Sequence, residues 1–383
     1  MPDHSRASFS GSGATWAFVG EVGGEGESGV FHLTYPYHRS RFVSDKGQAM
    51  NSNLSAAQFH NEEAAYEWVE ARLWPQGPVC PHCGCAKEHV GKLQGKSTRP
   101  GLYKCYGCRK PFTVKMGTVM EASHVPLRVW LQAIYLLCSS KKGISTRQLQ
   151  RTFGCGLKTA WFLSHRIREA MADLGIANSG PKGGAGKTVE ADETYVGGKE
   201  RNKHRIKRDK KNIGSVGKQI VFSLVERGGK IRSHHVPEVS AKTLRPILQA
   251  QLETEKTKLM TDGEGQYRLV AKSHETVNHG IGEYVRGDVH TNTIEGYFSI
   301  LKRGISGVYH HLGQEHLKRY LAEFDFRYNE RGALGVDDLE RADRALIGVK
   351  GKRLTYKKPR GAEPGKSALT QAYGACARIP SPR

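Results

Sequence analysis

The chain has 383 residues, with 59 Lys plus Arg against 37 Asp plus Glu and a formal net charge of +22. Its 38% hydrophobic residues and 45 glycines exclude a wholly disordered chain, and its length suffices for two or three domains, each with a core. The positive excess points to a polyanionic partner, most simply nucleic acid, while the absence of any apolar run near the roughly 18 residues that span a bilayer, or of a signal-type N-terminus, leads us to expect a cytoplasmic protein without membrane contact.

Residues 1–49 are rich in Gly and Ser and lack hydrophobic periodicity, and their four Lys/Arg against five acids leave them near neutral. They read as a disordered leader, with Met50 as the expected natural start. Residues 50–75 carry a short amphipathic helix that ends at Trp74-Pro75. Next come Cys80-Pro-His-Cys83 and Cys105-Tyr-Gly-Cys108, separated by 21 residues. Two such turns can gather four thiolates around one Zn²⁺, at about 2.3 Å each, so 76–120 reads as a zinc ribbon. Cys85 is a nearby sulfur able to compete with Cys83.

Residues 121–178 read as helix, short helix, turn and helix. Ser145 with Gln148 forms a capping-box signature, and Phe153-Gly154-Cys155-Gly156 forms the turn. The pattern fits a helix-turn-helix, with Lys158, Arg166 and Arg168 expected on the outward, DNA-facing side. A Gly-rich break at 179–187 precedes strand-like runs around Asp192 and Asp262. Between Lys199 and Lys218 stand nine Lys/Arg against two acids. This run, with Lys199, Arg201, Lys203, Arg205, Lys207 and Arg208 at its head, is expected to form an extended hairpin or loop touching DNA phosphates. Residues 336–383 read as a basic, partly disordered tail; from Lys350 they hold nine Lys/Arg and one acid.

A basic chain that sets acids in apolar strands needs a reason for them. Asp192 lies in a strand pattern, Asp262 ends another, and Glu295 opens a helix. Three such carboxylates can hold two Mg²⁺ or Mn²⁺ ions about 4 Å apart, a pair suited to in-line phosphodiester chemistry. Lys302 follows Glu295 by two helical turns, where it can meet a DNA phosphate. Strand alternation sends Glu193 to the opposite sheet face and leaves Glu190 on the Asp192 face, one pleat away.

Six stretches together carry a specific resemblance: WPQGPVCPHCG, YKCYGCRKPFTVKMGTVMEASHVPLRVWLQAIYLL, KTAWFLSHRIREAM, VEADETYVGGKERNKH, MTDGEGQY and HTNTIEGYFSILKRGISGVYHH. With them the chain resembles the ISXO-like insertion-sequence transposases, DDE transposases with an N-terminal zinc ribbon. The resemblance implies an α/β protein whose RNase H-like catalytic domain, over 187–335, follows the ribbon and the helix-turn-helix-like segment. It implies Mg²⁺-dependent cleavage and strand transfer on double-stranded DNA, at terminal inverted repeats and a target, by at least a dimer. Asp192, Asp262 and Glu295 match the three acids, with Lys302 behind them. Some relatives carry Asn as third member, and Asn292 shares the helix face; Glu295 is expected because an ionised carboxylate binds Mg²⁺ more strongly than an amide. His290 is a candidate phosphate or metal neighbour. Two other readings stand beside this one. A zinc-ribbon transcription regulator would explain the charge and the cysteines but not the acids; an RNase H-like nuclease would share the metal site.

Overall fold

The computed structural model describes residues 52–172, 181–198, 202–208, 215–263, 265–267 and 270–355. The leader, Lys199, Arg201 and the tail beyond 355 lie outside these, as does the side chain of Lys207.

Helix α1 (Glu62–Leu73) starts where the Asn61 side chain accepts hydrogen bonds from the amides of Glu63 and Ala64. Its buried face, Ala65, Tyr66, Val69 and Leu73, meets α2 (Leu127–Ser139) in a first core. Between them lies a small antiparallel sheet of β1 (Val90–Lys92), β2 (Tyr103–Cys105) and β3 (Pro111–Phe112). Helix α3 (Thr146–Phe153) opens on Ser145, whose hydroxyl accepts from Gln148 N, and stops at left-handed Gly154. Helix α4 (Leu157–Met171) follows and completes the first core with α8 (Asp338–Ile347).

Helix α8 corrects the reading of everything past 335 as tail. Ala342, Ala345, Leu346 and Val349 are buried in the first core, and Val349 O accepts a hydrogen bond from Val119 N. Asp337 caps the helix through Glu340 N. Its many charges hide an apolar stripe that packs against α1, α2 and α4.

The second half of the chain builds a five-stranded sheet, β6-β5-β4-β7-β8, from β4 (Thr188–Val196), β5 (Gln219–Glu226), β6 (Ile231–Val236), β7 (Lys258–Thr261) and β8 (Ser273–Thr276). Strands β4, β5 and β6 run antiparallel; β7 pairs parallel with β4, and β8 with β7. One face, with Val189, Ala191, Phe222 and Leu259, buries Leu244 and Leu248 of α5 (Ala241–Gln251). The other, with Val221, Val225 and Ile231, is covered by α6 (Asn292–Gly304) and α7 (Leu317–Asn329). The helices are also fixed by polar contacts: Asp325 of α7 accepts from the Ser233 hydroxyl at 2.7 Å and from the Tyr297 hydroxyl of α6 at 2.5 Å.

Helices α4 and α7 meet through charge. Arg168 and Glu323 are both 0% exposed and paired at 2.5 Å, and Glu323 also takes Arg327 and, at 2.5 Å, the Tyr309 hydroxyl. These partners hold the Glu323 carboxyl down at about 2 despite its burial. Beside it His165 is buried against Trp161 and His316, and neither ring nitrogen has a hydrogen-bond partner among the described residues. Burial, then the charges of Arg168 and His316, push His165 down to about 3.

Because that value lies below the unfolded one, about 6.5, the unfolded chain takes the proton first on acidification. The stability tied to neutral His165 is therefore complete above about pH 6.5 and drains as pH falls toward 3, at up to about 1.4 kcal/mol per unit. Urea unfolding at pH 7.5 and 5.5 should show a smaller loss in His165→Phe than in the wild type; identical losses would remove His165 as the cause.

Candidate metal centre and active site

The sulfur atoms of Cys80, Cys83, Cys105 and Cys108 all lie within 4.8 Å of one another. Cys80 and Cys108 are 3.6 Å apart, as are Cys83 and Cys105, close to the ~3.8 Å edge of a tetrahedron with 2.3 Å metal–sulfur bonds. Each pair sits in a turn closed by a left-handed residue, Gly84 in the first and Arg109 in the second. Backbone bonds from Cys80 N to Cys85 O, 2.9 Å, and from Cys105 N to Lys110 O, 3.1 Å, lock the turns. Trp74, Tyr103 and Phe112 form the aromatic floor. Cys85, the possible competitor, is buried beside the cluster but is not among its four members.

The acids gather at one end of the larger sheet. In the parallel pair β4–β7 the register sets Glu190 opposite Met260, so two residues on Asp192 comes level with Asp262, just past the end of β7. Gly263 then turns the chain at φ +91°, where a Cβ would stand 3.0 Å from Val277 O. Burial and, after it, the charges of Asp262, Glu193 and Glu295 push the Asp192 carboxyl up to about 8. The three candidate acids thus share one electrostatic neighbourhood, and their mutual repulsion is the condition a divalent cation relieves. This all-oxygen set suits a hard cation. Glu193 points to the other face, where its carboxylate takes the Tyr267 hydroxyl.

What brings Glu295 there is a residue that the strand pattern left without a role. Helix α6 has no side-chain cap of its own. The carboxylate of Glu190, fully buried, takes that place: it accepts from Ile294 N at 3.0 Å and from the Thr293 hydroxyl at 2.9 Å. Arg227, from the β5–β6 turn, pairs with the same carboxylate at 2.6 Å and donates to the carbonyls of Asp288 and His290. His290 is therefore engaged through Nδ1 with Arg227, 3.0 Å away. Glu295 itself accepts from the Thr291 hydroxyl at 3.1 Å and lies 3.9 Å from His279. Asn292, in the first position of α6, is exposed, with its amide on His290 Nδ1. Lys302 is exposed on the same helix. The signal for Glu190 was available: an acid on the buried face of a strand, on the side where the helix docks.

The expected DNA contacts divide. Lys158 is exposed in the first turn of α4. Lys203, Arg205 and Arg208 are exposed in the connection between β4 and β5, whose ends pair at Val196 and Gln219. Arg166 and Arg168 do not face outward. Arg166 is buried and donates to the carbonyls of Glu121 and Leu354, and Arg168 is the buried partner of Glu323. Helix periodicity separates them from Ile167 but does not show that α7 covers Arg168 or that the Glu121 and Leu354 backbone covers Arg166.

A four-thiolate ribbon ahead of a sheet that collects carboxylates at one end is the build of a DNA-handling protein. Comparison with known proteins makes the class definite. Residues 184–329 match the ISXO2-like transposase domain and residues 60–111 the transposase zinc-ribbon domain. The chain is 32% identical over 282 residues, 70% of its own length and 91% of the other's, to an uncharacterized protein in transposable element ISH50 of Halobacterium salinarum. The chain belongs to the ISXO2-like transposase family, the transposases of insertion sequences. No solved structure matches it. Among the described residues no helix is long and apolar enough to cross a membrane.

Two outcomes follow for the side chains placed above. Cys80→Ser should lower the bound zinc of the purified protein, measured by atomic emission, whereas Cys85→Ser should not; zinc unchanged in the first would refute this ligand set. Arg168→Ala should cost roughly 3 kcal/mol in unfolding free energy by removing one of the two arginines that compensate buried Glu323, while Lys158→Ala leaves stability within about 0.5 kcal/mol.

Proposed function

We propose that this transposase binds the terminal inverted repeats of its element and catalyses metal-dependent cleavage and strand transfer at Asp192, Asp262 and Glu295. One observation carries the reading: Asp192 and Asp262 come level on adjacent parallel strands, and Glu295 contributes to the field that raises the Asp192 pKa. The strand order, three antiparallel strands followed by two parallel ones with α6 over the sheet, supports an RNase H-like domain. Two Mg²⁺ or Mn²⁺ ions held there would activate the attacking oxygen and stabilise the leaving oxygen of the phosphodiester.

The chain's own residues supply position and charge. Asp192 is held by its strand and accepts from Glu193 N at 2.7 Å. Glu295 is held by the α6 start that Glu190 caps. We favour Glu295 over Asn292 as third ligand, because its charge is felt at Asp192. Lys302 is suited to a phosphate next to the site. Lys158, Lys203, Arg205 and Arg208, together with Lys199, Arg201 and Lys207, are assigned to phosphate contacts that carry little sequence information and weaken with salt. Cys80, Cys83, Cys105 and Cys108 are assigned to a structural Zn²⁺. Pairing of two element ends calls for at least a dimer.

The test is cleavage of labelled terminal-repeat duplex in Mg²⁺. Loss of a residue that merely orients a ligand costs up to about 100-fold, so Asp192→Asn, Asp262→Asn and Glu295→Gln should each fall by at least about 100-fold, and Asn292→Ala by much less. Full activity in any of the first three removes that residue from the centre. Joined products in the same reaction separate a transposase from a nuclease that only cuts.

A further inference from the structure

Between β8 and α6 the chain exposes three large apolar side chains within five residues: Ile281 is 78% exposed, Tyr284 62% and Val285 52%. The loop that presents them is tied down. Asn278 accepts from Gly280 N at 2.9 Å, Arg286 donates to Thr276 O at 3.0 Å, and Arg286 N bonds to Val289 O at 3.0 Å. The exposed side chains are therefore held out by a braced loop.

Their location gives them meaning. The Tyr284 ring lies 4.9 Å from the His279 ring, and His279 Nε2 lies 3.9 Å from the Glu295 carboxylate. Tyr284 is thus two contacts from the candidate third acid, and nucleotides advance by only about 3.4 Å along each strand of a duplex. A phosphate seated at the acids would set its flanking bases within reach of the ring. An uncharged aromatic and aliphatic ledge has nothing to offer a phosphate, but it matches the face of a base. Within a duplex that face is covered by its neighbours, so the ledge suits a base that has left the stack. Arg286, 56% exposed in its side chain, lies beside it and is paired with Glu283 at 3.3 Å, which adds a further tie to the loop.

We propose that Ile281, Tyr284 and Val285 form a stacking ledge for an unstacked nucleobase flanking the scissile phosphate of the DNA. The proposal deepens the catalytic reading above and rests on it. It is tested with the full chain and a duplex of the element's own terminal repeat, carrying 5-iodouracil in turn at the three positions on either side of the cleavage point. Irradiation should cross-link wild type to one position at Tyr284, located by mass spectrometry. Tyr284→Ala should lose that cross-link and cleave about 10-fold more slowly, in the range of one base–aromatic stack, while Tyr284→Phe keeps its cleavage rate. With an abasic site at the cross-linked position, wild type and Tyr284→Ala should cleave equally. The same deficit on intact and abasic DNA would overturn the ledge, as would the lack of a cross-link at all six positions. A change in oligomer mass in Tyr284→Ala without a change in cross-linking would likewise overturn it, in favour of a subunit contact. A Tyr284 cross-link in a wild type that does not cut would support the ledge and refute the catalytic centre instead.

Discussion

The buried carboxylate of Glu190 is the contact on which the geometry of the acidic site depends. A fully buried charge is costly unless its oxygens are satisfied, and here both are. One oxygen takes the Arg227 guanidinium and the Thr293 hydroxyl, and the other takes the Ile294 amide. The N-terminus of α6 supplies the orphan amides and the positive end of the helix dipole. The strand that carries Asp192 therefore also sets where α6 begins. Glu295, the fourth residue of that helix, inherits its position from the residue two places before Asp192. Arg227 extends the constraint by gripping the 288–290 backbone that leads into the helix.

A second charged contact does the same for the domain junction. Glu323 between Arg168 and Arg327 joins α4 to α7, and Tyr309 and Tyr320 close over Arg168. Such a group is a poor source of net stability, since its desolvation offsets much of the attraction, but it punishes every arrangement in which one partner is missing. The first helical core and the sheet domain are thereby held in one register. Two of the arginines that make the chain so basic, Arg168 and Arg327, serve this internal purpose and never reach DNA.

How far these features could be read from sequence follows from the range of the interactions. The thiolate turns were legible because each is a local device: four residues, a left-handed position and a backbone hydrogen bond. Asp192 and Asp262 stand out in the sequence because a carboxylate in an apolar strand contradicts its surroundings, and the register of β4 and β7 sets them level. Glu190 was seen on the correct face yet given no role, because its partners lie 37 and more than 100 residues away. Arg166 and Arg168 were misread for a related reason. Periodicity finds the apolar stripe of a helix but does not reveal what covers its other sides, which is α7 for Arg168 and the Glu121 and Leu354 backbone for Arg166. Helix α8 was absorbed into the basic tail because composition was averaged over a segment whose first part, around Asp338, is amphipathic.

Charge in this protein has to satisfy opposite demands. DNA favours a positive surface, yet the proposed chemistry needs carboxylates crowded enough to attract cations. Proximity would let the first cancel the second. The structure separates them by burial and by chain. The basic run follows the end of β4, with Lys203, Arg205 and Arg208 exposed, while Asp192 stays within the sheet, four residues before that end. Arg227, drawn close to the acidic end of the sheet, is spent on Glu190 and on backbone carbonyls. Burial and the repulsion among these carboxylates raise the proton affinity of Asp192. A site of that kind gains most from a small divalent ion, and it can gain still more when a DNA phosphate brings further negative charge to share the same ion.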